Sequence, residues 1–124
     1  MKNKEDQNLI GNKNAAKGVY LMSPDKYFVM FEEKYGDDFH WLRTSSDSFV
    51  DELRWELGDE CCFNSITVIA KCESNDDVLF LIDGIYRIYH LTYAGTVDSL
   101  SFLEFPNLSE AMEYMEKDYI ENYL

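Results

Sequence analysis

The sequence predicts an α+β domain: an antiparallel sheet of about four strands, with helices packed on one side of it and an amphipathic helix at the C-terminal end. Two observations support this fold class. Apolar residues recur at helical spacing near both ends of the 124-residue chain. Between them, β-rich segments alternate apolar and polar residues and include an Asp-Gly pair, which is typical of a hairpin. Helices, then strands, then a helix is an order typical of α+β domains.

The first helix begins at Ser23-Pro24 and ends before Gly36. A serine side chain can accept hydrogen bonds from the free amides of the first turn, and proline fits the first helical position because its missing N–H is not needed there. Glycine is the usual residue just past a helix end. The apolar stripe of this helix consists of Tyr27, Phe28, Phe31 and Tyr35. We expect that stripe to face the core.

A second helix is predicted at about residues 47–57, with possible caps among residues 44–48 and an end at Gly58. Its inward stripe consists of Phe49, Val50, Leu53 and Leu57. At 100° per residue, Trp55 points away from that stripe, towards Asp51, Glu52 and Glu56. Trp55 therefore either packs under another segment or contacts a partner, since tryptophan is enriched at binding hot spots.

The sheet is predicted from four segments: residues 65–72, 78–82, 85–93 and 100–105. Asp83-Gly84 joins the second to the third, because both residue types tolerate the positive φ of a type I′ turn. In the first strand, alternation places Ile66, Val68 and Ala70 on one face. The sequence thus predicts an antiparallel meander.

The last helix follows Asn107, which can act as its cap, with Glu110 at the capping-box position. Its core stripe consists of Leu108, Ala111, Met112, Met115 and Tyr119. The glutamates on the other side are expected to face water.

Residues 1–17 form a polar lead-in rich in Asn and Lys, and residues 18–124 are predicted to form one domain. The chain has no apolar run of the roughly 18–20 residues that a membrane span needs. Residues 1–17 also lack the apolar stretch of a signal peptide. We therefore expect a cytoplasmic protein.

The chain is strongly acidic, with 24 carboxylate side chains against 11 Lys and Arg and a formal net charge of −13. Most of the excess lies in residues 37–60 and 104–124. A field of this sign repels nucleic acid and anionic membranes and attracts basic surfaces. In each acidic stretch the alternative interpretation is a solvated helix face.

No familiar catalytic or phosphate-binding motif is present, and we predict neither enzyme activity nor a cofactor. Asp37, Asp38 and His40 are the most enzyme-like group, because they could bind a divalent cation, and a minor hydrolase is the corresponding alternative. The three cysteines, two of them adjacent, are predicted to be buried, reduced thiols. A metal pair formed by Cys72 with His90, or by Cys62 with His40, is a further alternative.

Residues 77–90 (DVLFLIDGIYRIYH) and 105–111 (FPNLSEA), together with the final amphipathic helix, give residues 24–124 the layout of a known group. This layout resembles the small acidic immunity proteins of bacterial polymorphic-toxin and contact-dependent inhibition systems, in particular those with a SUKH-like arrangement. The resemblance implies a protein that is not an enzyme. It would bind a cognate toxin, often a cationic nuclease, and block the toxin's active site.

We predict that the partner, a basic protein toxin, binds the second helix and the segments beside it. Trp55 would be the anchor and the surrounding carboxylates the steering rim. The predicted contact residues are Asp37, Asp38, Asp47, Asp51, Glu52, Trp55, Glu56, Asp59 and Glu60. The alternative is a regulatory domain that binds a small ligand or a metal and uses its acidic surface only for solubility.

Overall fold

The computed structural model describes residues 22–58 and 61–124, so the predicted lead-in, residues 1–17, lies outside the described residues. The described helices pack on a five-strand antiparallel sheet, which confirms the predicted α+β class. The elements are α1 (Pro24–Tyr35), a 3-10 turn (Gly36–Asp38), β1 (Trp41–Arg43), α2 (Asp47–Leu57), β2 (Ile66–Cys72), β3 (Asp77–Ile82), β4 (Ile85–His90), β5 (Phe102–Phe105) and α3 (Leu108–Asn122). The strands are neighbours in chain order, as in a meander.

The starts of α1 and α3 follow the capping chemistry that the sequence predicts, whereas Ser46, at the N-cap of α2, makes no side-chain capping hydrogen bond to the described residues. The Ser23 hydroxyl accepts from the Lys26 amide at the start of α1, and the Asn107 side chain accepts from the Glu110 amide at the start of α3. At the hairpin between β3 and β4, Asp83 and Gly84 have φ values of 47° and 87°. These are the left-handed conformations that a type I′ turn requires.

The helices cover both faces of the sheet, so the prediction that they share one side is wrong. α1 and α3 pack on one face, where their apolar stripes meet Ile69, Leu79 and Ile88. α2 packs on the other face, where Leu53 meets Val68 and Phe80. The alternation of β3 supplies both cores, because neighbouring residues of a strand point to opposite faces. Burial of each large apolar side chain in these cores contributes about 1.5–3 kcal/mol.

A β-bulge in β2 changes the predicted faces of that strand. Val68 pairs with Phe80 of β3. The neighbour of Phe80 in that strand, Leu79, pairs with Ala70 and not with Ile69. The extra residue moves Ala70 to the face covered by α1 and α3, while Val68 stays on the α2 face. The prediction that the two lie on one face is therefore wrong.

Strand β1 is an element that the sequence does not predict. Trp41–Arg43 pairs with the end of β2 and forms one edge of the sheet, and Trp41 is buried among the α1 and α3 side chains. The Ile69 carbonyl accepts hydrogen bonds from the Thr44 amide at 3.1 Å and from Arg43 Nη1 at 2.7 Å. These bonds fasten the end of this edge strand to β2.

No helix in the described part of the chain is long and apolar enough to cross a membrane.

Candidate functional site

The structure separates the predicted contact residues into groups. Asp47, Asp51, Glu52, Trp55 and Glu56 lie on α2. Asp37 and Asp38 lie in the 3-10 turn after α1, beside the helix that covers the opposite face of the sheet. Asp59 and Glu60 lie outside the described residues. Among the described contact residues, the group on α2 is the largest that one element carries.

Glu56 does not face a partner, which corrects its place among the predicted contacts. Its side chain is 0% exposed, because the segment after β4 covers it. The Thr92 amide donates to both carboxylate oxygens at 2.8 and 3.0 Å, and the Thr92 hydroxyl and the Tyr93 amide donate at 3.0 and 2.9 Å. Glu56 is thus an anchor for that segment. Helical periodicity alone places it on the open acidic side, since periodicity does not show what another segment covers.

Residues 92–97, which we call the strap, are bonded to the C-terminal end of α2. The Val97 amide donates to the Glu56 carbonyl at 3.0 Å, and the Thr96 hydroxyl donates to the Trp55 carbonyl at 2.9 Å. Carbonyls at the end of a helix lack partners within the helix, so these bonds satisfy groups that would otherwise need water. The predicted third strand, residues 85–93, ends at His90 in the structure. The residues that follow it turn towards Glu56 and donate hydrogen bonds to its carboxylate.

The strap presents Tyr93 in a strained conformation. Tyr93 has a φ of 55°, which costs a residue with a bulky side chain on the order of 1–3 kcal/mol. The hydrogen bond from its amide to Glu56 helps to hold this conformation, and the ring is left half-exposed. Partial burial raises the pKa of the Tyr93 hydroxyl, and the negative charges of Asp76, Glu52 and Glu56 raise it further. Carboxylates therefore surround this ring.

Trp55 is the most exposed aromatic side chain in the described residues, with 65% of its surface accessible. A side-chain atom built on Gly95 of the strap would lie 3.8 Å from the indole nitrogen, so the indole lies beside the strap backbone. Asp51 and Glu52 are four and three residues before Trp55, on the same side of the helix. We define the α2 surface as Asp47, Asp51, Glu52, Trp55 and Tyr93. Tyr93 is not among the predicted contact residues, because alternation alone assigns it to a strand.

Glu52 and Glu56 form a coupled carboxyl pair behind Trp55. A hydrogen bond to Glu56 raises the pKa of Glu52, and partial burial and the negative charge of Glu56 act in the same direction. Burial alone would raise the pKa of Glu56, but hydrogen bonds from Glu52, Thr92 and Tyr93 outweigh it and hold that pKa below its usual value. Ionisation of Glu52 is therefore less favourable than ionisation of Glu56, and a nearby cation would stabilise the ionised form of Glu52.

The second acidic stretch, on α3, uses carboxylates within the fold. Glu116 accepts from Lys34 Nζ and from the Tyr35 hydroxyl, each at 2.6 Å, and Asp118 lies 2.8 Å from His40 Nε2. Among the described residues, no ion pair involves Asp47, Asp51 or Glu52. Within the described residues, two carboxylates of α3 therefore have bonded partners in the fold, whereas these three carboxylates of α2 form no ion pair.

The buried histidine belongs to a network at the C-terminal end of α3. His40 stacks on Tyr123 with ring centroids 4.3 Å apart, and the Tyr123 hydroxyl lies 2.7 Å from Ser74 Oγ. Asn122 donates to Asp118, and His40 Nδ1 is buried without a hydrogen-bond partner among the described residues. The predicted grouping of Asp37 and Asp38 with His40 does not form around this ring.

Neither of the proposed metal pairs is supported by the geometry of the described residues. No group of three or more His, Cys, Asp or Glu side chains in residues 22–58 and 61–124 could hold a metal ion. His90 Nδ1 lies 2.8 Å from Asp77, and the buried Cys72 thiol lies 3.3 Å from Ser74 Oγ. The three cysteines are free thiols, but only Cys72 is buried; Cys62 is exposed and Cys61 is partly exposed, so the predicted burial is wrong for these two.

Comparison with known protein families, with curated proteins and with solved structures gives no match to this chain.

Proposed function

We propose that the chain is a cytoplasmic immunity protein that binds a basic protein toxin through the α2 surface and neutralises it. The observation that carries this proposal is the exposed Trp55 indole beside Asp47, Asp51 and Glu52, which form no ion pair with any other described residue. The helix that carries them is bonded to the strap through Glu56. Large exposed aromatic side chains are the usual anchors of protein interfaces. The acidic residues beside it match the charge of a cationic partner.

The α2 surface is held in place before any partner binds. The four hydrogen bonds to Glu56 and the bonds to the carbonyls of Trp55 and Glu56 fix the strap against the helix. A surface that is already ordered loses less conformational entropy on association, so more of the contact energy appears as affinity. A rigid aromatic pair with a carboxylate rim is suited to recognition rather than to catalysis.

The charge of the whole chain supports the same partner class. With a net charge of −13, the protein attracts a basic surface over long distances and raises the rate of encounter. A toxin that acts on nucleic acid needs a basic surface to contact the phosphates, and carboxylates on α2 can occupy the positions that phosphates would take. The same charge disfavours nucleic acid and anionic membranes as partners.

The test is direct binding to the toxin domain encoded by the gene immediately upstream, measured by calorimetry at several salt concentrations. We expect a one-to-one complex that weakens as salt rises and that Trp55→Ala weakens by at least about 30-fold, which corresponds to 2 kcal/mol. Tyr114→Ala removes another exposed aromatic, on α3, and is the matched control. Absence of a complex, or equal losses in the two variants, would contradict the proposal.

A further inference from the structure

A cleft lies next to the 3-10 turn, on the side of the sheet that α1 covers and away from the α2 surface. Its volume is about 480 Å³, which is within the range of about 300–1,000 Å³ typical of small-molecule sites. The lining residues come from α1, the 3-10 turn, β1 and the turn after β2. The cleft therefore lies at one edge of the sheet, where Trp41 and Leu42 contribute to it.

Aromatic rings form the wall of the cleft and hold each other in position. Phe31 and Phe39 are stacked with ring centroids 4.5 Å apart, and Phe28 meets both rings edge-on at 5.9 and 6.3 Å. Phe31, Phe39 and Trp41 are buried, whereas Phe28 is half-buried and Leu42 is exposed. Because the buried rings are fixed by the core, the wall keeps its shape without a ligand.

The charged groups on the lining of the cleft are mostly acidic. Glu32, Asp37 and Glu73 contribute carboxylates, and among the described residues of the lining Arg43 is the one basic residue. Its guanidinium is already engaged: Nε donates to Asp25 at 2.9 Å, and Nη1 donates to the carbonyls of Ile69 and Thr44. The lining thus combines an apolar aromatic wall with an excess of negative charge.

We propose that this cleft binds a small organic cation, an ammonium group carried on an aromatic body. The half-buried Phe28 and the exposed Leu42 offer apolar surface to the body of such a ligand, and the three carboxylates attract its cationic head. The volume accommodates one small molecule. This inference does not depend on the proposed function, because the cleft and the α2 surface share no residue. It gives a specific site to the small-ligand alternative that the sequence leaves open.

The two tryptophans of the chain allow the site to be tested separately from the rest of the acidic surface. Trp41 lines the cleft and Trp55 lies on the α2 surface, so their indole N–H signals in a ¹H–¹⁵N spectrum report on different places. The probe is benzyltrimethylammonium, added at constant ionic strength to the full chain. Benzyl alcohol serves as the neutral aromatic comparison, and tetramethylammonium as the cation without a ring.

We expect a saturable shift of the Trp41 signal with benzyltrimethylammonium and a constant Trp55 signal. The two comparison compounds should bind at least about ten-fold more weakly. Leu42→Lys places a cation at the cleft and should abolish the shift. Leu103→Lys makes the same change on the other edge strand, at a residue that is 45% exposed against 53% for Leu42, and should leave it intact.

Four results would overturn the inference: no saturable Trp41 shift at millimolar ligand, equal binding of benzyl alcohol, a parallel shift of Trp55, or undiminished binding in the Leu42→Lys variant. Both substituted positions are exposed, and the unperturbed remainder of each spectrum verifies that the variants are folded. Toxin binding measured on the same samples would show whether the proposed function holds independently of the cleft.

Discussion

The two tryptophans occupy opposite environments. Trp41 is 3% exposed and packs in the core between the sheet and the α1 and α3 helices, whereas Trp55 is 65% exposed beside the strap. The first lies on an edge strand that the sequence did not predict, and the second on a helix that it did. The comparison shows that residue type alone does not separate a buried core side chain from one that is open to solvent. What surrounds each side chain decides its role.

The largest effect that this comparison predicts is on stability. Trp41→Ala should lower the free energy of unfolding by about 3–5 kcal/mol, because it removes a buried aromatic side chain and leaves a cavity. Trp55→Ala should change it by less than about 1 kcal/mol, because the indole is mostly in water. Urea unfolding followed by circular dichroism measures both values. Similar losses in the two variants would show that Trp55 contributes to the core.

A second prediction concerns the strap, which makes the surroundings of Trp55 rigid. Glu56→Ala should destabilise the protein by about 2–3 kcal/mol, since it leaves the amides of Thr92 and Tyr93 without acceptors. Amide hydrogen exchange in residues 92–97 should accelerate more than exchange in β3. Asp51→Ala, at an exposed position of the same helix, is the control and should leave both quantities nearly unchanged. Unchanged exchange in the strap of the Glu56 variant would refute the anchoring role.

The smallest predicted effect is on the pH dependence of stability at Glu52. The pKa of Glu52 is raised in the folded protein, so the stability that protonated Glu52 contributes is present at low pH and lost as pH rises through that pKa. Glu52→Gln removes the repulsion of Glu56 permanently. It should stabilise the protein by about 0.2–0.5 kcal/mol at neutral pH, and the gain should shrink as pH falls. A gain that is constant with pH in urea unfolding would exclude repulsion of Glu56 as its cause.

Glu56 affects the pH dependence of stability in the direction opposite to Glu52. Its pKa is lowered in the folded protein, so the stability contributed by its ionised form is lost as pH falls through the folded value. Net acid destabilisation should therefore be smaller in a Glu56→Gln variant than in the unmodified protein. Unfolding curves at descending pH measure this difference, and equal slopes would contradict it.

Local chemistry in the sequence was sufficient to predict most elements of the fold. The capped starts of α1 and α3, their apolar stripes and the Asp83-Gly84 turn are all present. These features depend on residues close together in the chain, where spacing and conformational preference determine the outcome. The stripe of α2 was also predicted correctly, as Phe49, Val50, Leu53 and Leu57.

The wrong predictions concern features that depend on contacts between segments far apart in the chain. The stripe of α2 shows that the helix has an apolar side, but not which face of the sheet that side covers. The bulge in β2 reverses the alternation within a strand, and Trp41 is placed in a strand only by its partner β2. Glu56 appears exposed by periodicity, yet the strap buries it. Each of these depends on tertiary pairing that single-residue patterns do not encode.

The candidate site was predicted in part for the same reason. Asp47, Asp51, Glu52 and Trp55 share one helix, so helical spacing was enough to group them. Asp37 was grouped with them by closeness in sequence and composition, but it lines the cleft beside α1 instead. Tyr93 joins the α2 surface only because Glu56 holds the strap, a contact that spans 37 residues.

The measurement that tests the central claim most directly is the association rate of the basic toxin domain that we propose as the partner with charge-reversal variants, by stopped flow at low salt. Asp51→Lys with Glu52→Lys reverses two charges on the α2 surface, and Glu113→Lys with Glu121→Lys makes the same change in net charge on exposed positions of α3. We expect the α2 pair to slow association by at least about ten-fold and the α3 pair to have a much smaller effect. Equal rates for the two double variants would show that net charge alone attracts the toxin, and would contradict binding at the α2 surface.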